Sequence, residues 1–329
     1  MKALIFGITG QDGSYLADML LGKGYEVHGV VRRSSRGYGA LENIAHLVND
    51  ESIYRSRLFL HSGDLCDGSS VSRVIDEVKP DELYAMSAQA DVQESFFMPE
   101  YSIDVNGNGV IRILEAIRRF SPVTKMVQAS TSELFGGSDA ERQNEESRME
   151  PKSPYSLGKY VGYRSVKQYR EAYGLFACNS IAFNHASPRR TDDYVDAKVT
   201  KAVARIKLGQ QKTLRLGNLA ARRDWSYAPE ICEALWLMLQ QGKADDYVLG
   251  SGVNCTVQEW VDEAFNHVGL SSADHVVIDK RLFRPVEVDV LLADARKAKD
   301  VLGWEVKTDW KQLCHLMVDA YLEKYALSS

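Results

Sequence analysis

Short apolar runs take turns with helix-period stretches along the first half of the chain. The pattern predicts a buried strand over 3–8, a helix over 14–22 and a strand over 27–31. A strand over 58–61, a helix over 70–78, a strand over 83–87 and a helix over 105–120 continue it. Further strands are expected over 126–129 and 177–183, with a helix over 155–173 between them. Continuous apolar runs, rather than alternating ones, are what strands buried on both faces require. Strand–helix alternation of this kind implies a parallel sheet covered by helices on both sides.

The rhythm changes beyond residue 184, where loops and basic residues separate helices expected over 198–208, 229–241, 257–268 and 310–325. The expected architecture is α/β: a Rossmann-type doubly wound parallel sheet over 1–184, rejoined by about 224–250. Residues 185–223 and 251–329 then form a smaller, mainly helical α/β lobe that closes over the strand ends. At 329 residues, one extended domain or two interleaved lobes would fit.

Composition narrows the classes. With 45% hydrophobic and 26% charged residues the chain is ordinary for a globular enzyme. A net charge of −5 gives no global basic field for nucleic acid or a membrane surface. The five cysteines are scattered without metal-ligand spacing, so no metal site is expected and reduced cytoplasmic thiols are. Met1-Lys2 leads straight into a strand, and no apolar run is long enough to span a bilayer, so neither signal peptide nor membrane helix is expected.

The sequence Gly7-Ile-Thr9-Gly10-Gln11-Asp12-Gly13 follows the first strand and opens the first helix. Glycines there permit a tight turn and close approach of backbone to a pyrophosphate, which the helix N-terminus attracts. A glycine triplet alone is weak, but strand, turn, helix and strand within about 30 residues is the context that makes it a dinucleotide fingerprint. The second strand runs into Arg32-Arg33-Ser34-Ser35, where an NAD site usually carries an acid. Arginines and hydroxyls suit the 2′-phosphate of NADP instead. Asp64-Leu65, after the third strand, would lie beside the adenine.

Tyr155 and Lys159 are four residues apart, so on a helix they share a face. The lysine charge is expected to lower the tyrosine pKa. Ser153-Pro154 reads as a helix start that sets Tyr155 at the mouth of a cleft. Tyr163 and Lys167 have the same spacing but lie two turns deeper, where packing is the expected role. Thr131 and Glu133 follow the strand that should end at the nicotinamide. A Thr/Tyr/Lys set moves a hydride and a hydroxyl proton; an added carboxylate also takes a proton from carbon. Together they can oxidise, eliminate water and reduce again, which points to a sugar dehydratase.

With these residues the chain resembles the extended short-chain dehydrogenases/reductases, and among them the GDP-mannose 4,6-dehydratase family, nearly end to end. The fingerprint, Arg32–Ser35, Ala88-Gln89, the run from Gln128 to Glu133, Ser153-Pro154-Tyr155 with Lys159, and Asn184-His185 carry the likeness. So do Ser187–Arg190, Gly217-Asn218, Arg223-Asp224-Trp225, Arg284-Pro285 with Glu287, and Leu302-Gly303-Trp304. The resemblance implies an NADP-dependent lyase acting on GDP-mannose, with Thr131, Glu133, Tyr155 and Lys159 catalytic. It adds Ala88, Gln89, Tyr101, His185 and Arg190 to the cofactor site, with Lys159 on the ribose. It assigns Ser132, Asn184, Lys198, Arg223, Arg284 and Glu287 to the substrate, and implies a homodimer or homotetramer.

Four departures stand out. Ala186 replaces a glutamate, Ala90-Asp91 stands where Ser followed by His or Phe is usual, Ser226 replaces a glycine, and Lys152 an arginine. None removes a catalytic group, but a related GDP-sugar such as a GDP-heptose stays open as substrate. Two other readings are weighed: a 4-epimerase or 4-ketosugar reductase, against which Glu133 argues, and a non-catalytic NADP sensor, against which the complete catalytic set argues.

Overall fold

The computed structural model describes residues 1–32, 41–136, 141–192, 194–283, 288 and 290–327. The chain begins with β1 (Lys2–Phe6), α1 (Gln11–Gly22), β2 (Glu26–Val31), α2 (Ala45–Val48) and β3 (Leu58–Ser62). Next come α3 (Gly68–Val78), β4 (Glu82–Ala85), α4 (Val92–Ser95), α5 (Pro99–Ile103), α6 (Gly109–Phe120) and β5 (Lys125–Ala129). Then α7 (Pro154–Tyr173) leads into β6 (Ala177–Ala182), β7 (Asn184–Ala186), α8 (Val195–Lys207), β8 (Leu214–Leu216) and β9 (Arg222–Tyr227). The rest holds α9 (Ala228–Leu239), β10 (Tyr247–Leu249), β11 (Asn254–Thr256), α10 (Val257–His267), β12 (Val276–Ile278) and α11 (Trp310–Ala326).

Seven parallel strands form the main sheet in the order β10-β6-β5-β4-β1-β2-β3. The chain winds outward from β1 to β3, then crosses back to β4 and winds the other way. The reversal between β1 and β4 opens a crevice at their carboxyl ends, where ligands bind in such sheets. Every residue of β4 and of β6 is buried, as two-sided helical cover demands. On one face Leu16, Leu20 and Leu21 of α1 pack with Ile231, Leu235 and Met238 of α9. On the other, α3 and α6 supply Val71, Ile75, Ile113 and Ile117.

The helix expected over 105–120 is α6 from Gly109 onward, and the helical path into it starts earlier than expected, at Pro99. Pro99 starts α5, and a π-type turn over Asp104–Asn108 joins it to α6. That wide turn swings Asn106 onto the loop after β4, where its amide grips Gln89: Gln89 N–H donates to Asn106 Oδ1 at 3.0 Å and Asn106 Nδ2 donates to Gln89 O at 2.9 Å.

After β6 the chain leaves the sheet within one residue. Strand β7 pairs with β9, which pairs in turn with β11, and β8 pairs with β12. Of residues 224–250, it is β10 that joins the main sheet, beside β6. Apart from the six-residue β9, these are three-residue strands, which carry too little periodicity to be read from sequence. Trp225, Trp260, Phe265, Leu313 and Tyr321 build a second core among β9, α10 and α11.

Candidate active site

Two adjoining cavities run along the carboxyl ends of the main strands. The first, about 710 Å³, is lined by the glycine turn, the ends of β2, β3 and β4, and the catalytic candidates. The second, about 680 Å³, lies under α8, β8 and β9.

Backbone geometry shapes the first. Gly7 has φ +85°, and a Cβ there would sit 2.9 Å from Ser87 N. A Cβ on Gly13 would sit 2.2 Å from Gly7 O. The turn is therefore closed to any side chain at either position. Gly10 heads α1 without a side-chain cap, so the first N–H groups of that helix have no side-chain acceptor. A diphosphate fits that chemistry.

Of the expected cofactor residues, Gly7, Thr9, Gly10, Gln11, Asp12, Gly13, Arg32, Asp64, Leu65, Ala88, Gln89, Tyr101, Lys159, His185 and Arg190 all line this cavity. Arg32 donates to the Tyr101 hydroxyl at 2.8 Å, joining the β2 end to α5. Arg33, Ser34 and Ser35 lie outside the described residues. Asp12 and His185 form a partly buried pair, Nε2 to Oδ2 at 3.0 Å, while His185 Nδ1 meets Phe183 O at 2.8 Å. Both ring nitrogens face acceptors, so the imidazole is held as a cation. Burial opposes the charge on each partner, yet their attraction outweighs it: Asp12 falls below the usual carboxylate range and His185 rises above the usual imidazole range.

The catalytic candidates converge in the same space. Ser153 caps α7 by accepting from Ser156 N–H at 3.1 Å, Ser156 Oγ accepts from Ser153 N–H at 3.0 Å, and Pro154 opens the helix. That start fixes Tyr155 at the cleft, buried beside Thr131. The Thr131 hydroxyl accepts from Glu133 N–H at 3.2 Å and hydrogen-bonds the Tyr155 phenol. Glu133 and Ser132 sit in the short turn capped by Thr131, and both line the cavity. Lys159 Nζ donates to Ala129 O at 2.7 Å and lies 5.9 Å from the centre of the Tyr155 ring. Tyr163 packs against Phe135, Ile181 and Phe183 in the core, away from the cleft.

One expectation is corrected. Lys159 does not depress the Tyr155 pKa in this structure. Burial raises the phenol above its ordinary value, the Thr131 hydrogen bond lowers it only in part, and Glu133 adds to the rise. Burial also pushes Lys159 down to about 8 despite the attraction of Asp12.

The second cavity takes Asn184, Lys198 and Arg223 of the expected substrate set; Arg284 and Glu287 lie outside the described residues. Arg223 is buried and donates to Arg222 O at 2.9 Å. Sequence reasoning missed Tyr194, whose hydroxyl donates to Ala90 O at 3.1 Å and whose ring lies 3.8 Å under the Arg190 guanidinium. It also missed Asn106. Neither falls in a spacing pattern, so only tertiary packing reveals them. Among the departures, Ala186 and Ser226 are fully buried and neither they nor Lys152 line either of these two cavities, whereas Ala90 and Asp91 line both. Among the described residues no cluster of three or more His, Cys, Asp or Glu could hold a metal, and no helix is long and apolar enough to cross a membrane.

Comparison with known proteins agrees with this geometry. The family model described as GDP-mannose 4,6 dehydratase matches residues 4–317. GDP-mannose 4,6 dehydratase 1 of Arabidopsis thaliana is 48% identical over 326 residues, covering 98% of this chain and 90% of that one. The human GDP-mannose 4,6 dehydratase is 42% identical over 341 residues, covering 98% and 91%. In fold, a dTDP-glucose 4,6-dehydratase of Bacillus anthracis solved with NAD superposes with TM-score 0.84 at 23% identity, covering 99% of this chain and 98% of that one. A fingerprint turn, a Thr/Glu/Tyr/Lys constellation at one strand end and a match along almost the whole length meet in one molecule, and the chain belongs to the GDP-mannose 4,6-dehydratase family.

Proposed function

We propose that this chain converts GDP-mannose to GDP-4-keto-6-deoxymannose, a hydro-lyase reaction run with NADP. The observation that carries the reading is that Glu133 shares one cavity with Thr131, Tyr155 and Lys159, and that this cavity meets a second one lined by Lys198 and Arg223. Held along the glycine turn and by Lys159 and His185 of the first cavity, a nicotinamide cofactor would supply the acceptor for the C4 hydride and its return to C6, and in its oxidised form a positive charge that favours the phenolate. Tyr155, hydrogen-bonded by Thr131, takes the proton of the 4-hydroxyl. The 4-ketone acidifies the C5 proton, which Glu133 removes as water departs from C6. Glu133 passes that proton to the departing C6 hydroxyl, and the proton held by Tyr155 goes to C5 as hydride adds at C6. Lys159 and His185 supply cations near the cofactor ribose and phosphates, and Lys198, Arg223 and Asn184 hold the GDP, joined in this reading by Arg284 and Glu287.

Arg32, where an acid would favour the unphosphorylated ribose, supports NADP over NAD. Arg33, Ser34 and Ser35 extend that reading from sequence alone. The proposal also includes the lobe division 1–184 with 224–250 against 185–223 with 251–329, a homodimer or homotetramer, and a cytoplasmic location. The test is to incubate purified protein with GDP-mannose and follow product and reduced nicotinamide together. Keto sugar formed with no net loss of reduced cofactor supports the dehydratase; stoichiometric consumption of NADPH would make the protein a reductase.

A further inference from the structure

Six residues line both cavities: Ala90, Asp91, Val92, Asn184, Arg190 and Tyr194. A hexose joining a GDP in one cavity to a nicotinamide in the other must pass this junction. Arg190 is committed there, paired with Asp196 at 3.0 Å and stacked on Tyr194. The Tyr194 hydroxyl donates to Ala90 O. Asp91 brings the one carboxylate among the six. Its Oδ1 accepts Glu94 N–H at 3.0 Å, which fixes the side chain at the head of α4. A carboxylate has about four acceptor sites, so the cap leaves several for a ligand.

We propose that Asp91 is a specificity-determining residue that accepts hydrogen bonds from secondary hydroxyls of the hexose. The inference rests on the dehydratase reading above. In that reading Tyr155 handles the 4-hydroxyl and the 6-hydroxyl departs, so the 2- and 3-hydroxyls are the ones left to read. An acceptor held by its own backbone cap is pre-organised for them, and a hydroxyl bound by a charged acceptor is favoured strongly over its absence. The same charge repels a sugar acid bearing a carboxylate in this position. Neither Ala186 nor Ser226 can do this, since both are sealed in the strands behind.

The test is calorimetric binding of GDP, GDP-mannose, GDP-2-deoxymannose and GDP-3-deoxymannose to protein loaded with its cofactor. Wild type is compared with Asp91→Asn and Asp91→Ser. Both replacements cap a helix N-terminus as aspartate does, so a folding effect is separated from a recognition effect. Wild type should bind one deoxy sugar roughly tenfold or more weaker than GDP-mannose. Asp91→Ser should bind the pair alike, while its affinity for GDP itself stays within about twofold of wild type. Discrimination that survives in both variants, or is missing from wild type, would overturn the proposal. Binding needs no turnover, so failure of the dehydratase reading would show separately, as absent chemistry with intact hydroxyl discrimination.

Discussion

Thr131 acts through one hydroxyl in two directions, accepting from Glu133 N–H and hydrogen-bonding Tyr155, so the position of the carbon base and of the oxygen base are set together. Glu133→Gln should leave C4 oxidation largely in place and block elimination. The loss in kcat is expected to be about 100-fold or more, with a 4-keto hexose still carrying its 6-hydroxyl recovered after quenching. Full turnover by that variant would remove Glu133 from the C5 step. Lys159, pushed down to about 8 by burial, gives up its proton as pH rises through that value. If its ammonium is needed, kcat/KM falls on an alkaline limb near pH 8, and a pH–rate profile flat well beyond it would contradict the role. At the far end of the cavity, Arg32→Glu should shift binding from NADP toward NAD by about tenfold or more, measured by titration of each cofactor. These residues were legible because their chemistry is tied to fixed spacing. The tyrosine's raised pKa was not, because burial is a property of the folded surroundings.

At the scale of elements, the glycine turn shows how little freedom the site has. Gly13→Ala sets a methyl 2.2 Å from Gly7 O, so the turn must open. Cofactor binding should be lost, with a fall in stability of about 2 kcal/mol or more by chemical denaturation. On the outer strands β2 and β3, His28 Nδ1 meets His61 Nε2 at 2.9 Å while His28 Nε2 meets Glu26 Oε1 at 2.9 Å. A single hydrogen lies between the rings, so both cannot be cations; with His61 donating to His28, His28 is neutral and donates to Glu26. Burial holds both imidazoles below their ordinary value of 6.5. Their contribution is therefore present above about pH 6.5 and lost as pH falls below it, because the unfolded chain binds those protons and the folded chain resists them. The denaturation midpoint should drop between neutral and mildly acidic pH, and His61→Gln should flatten that drop. The strands carrying this pair could be read from their apolar runs. Their lateral order could not, because pairing partners leave no mark in a one-dimensional pattern.

Across the whole molecule, the site depends on a junction that no sequence pattern announces. Asp224 on β9 accepts from Ser251 N–H and Oγ–H, Gly252 N–H and Ala293 N–H, so one buried carboxylate ties the β9 strand to two loops behind the second cavity. Asp224→Ala would orphan three N–H groups, that of Ala293 buried and those of Ser251 and Gly252 partly so, and should cost about 2 kcal/mol or more, lowering the unfolding midpoint. The main sheet, its crevice and the catalytic set could be anticipated, since long apolar runs and fixed motifs carry them. The second sheet, in which six-residue β9 pairs with two three-residue strands, the wide turn at Asn106 and the cation–ring contact of Arg190 with Tyr194 arise only when distant segments meet.

The dehydratase reading turns on an internal transfer of hydride from C4 to C6 with a proton exchanged at C5. It is tested most directly by giving the protein GDP-mannose deuterated at C4, in ordinary water, and reading the product by NMR. The deuterium should appear in the C6 methyl group, with a solvent proton at C5. Deuterium retained at C4, or lost from the sugar altogether, would contradict it.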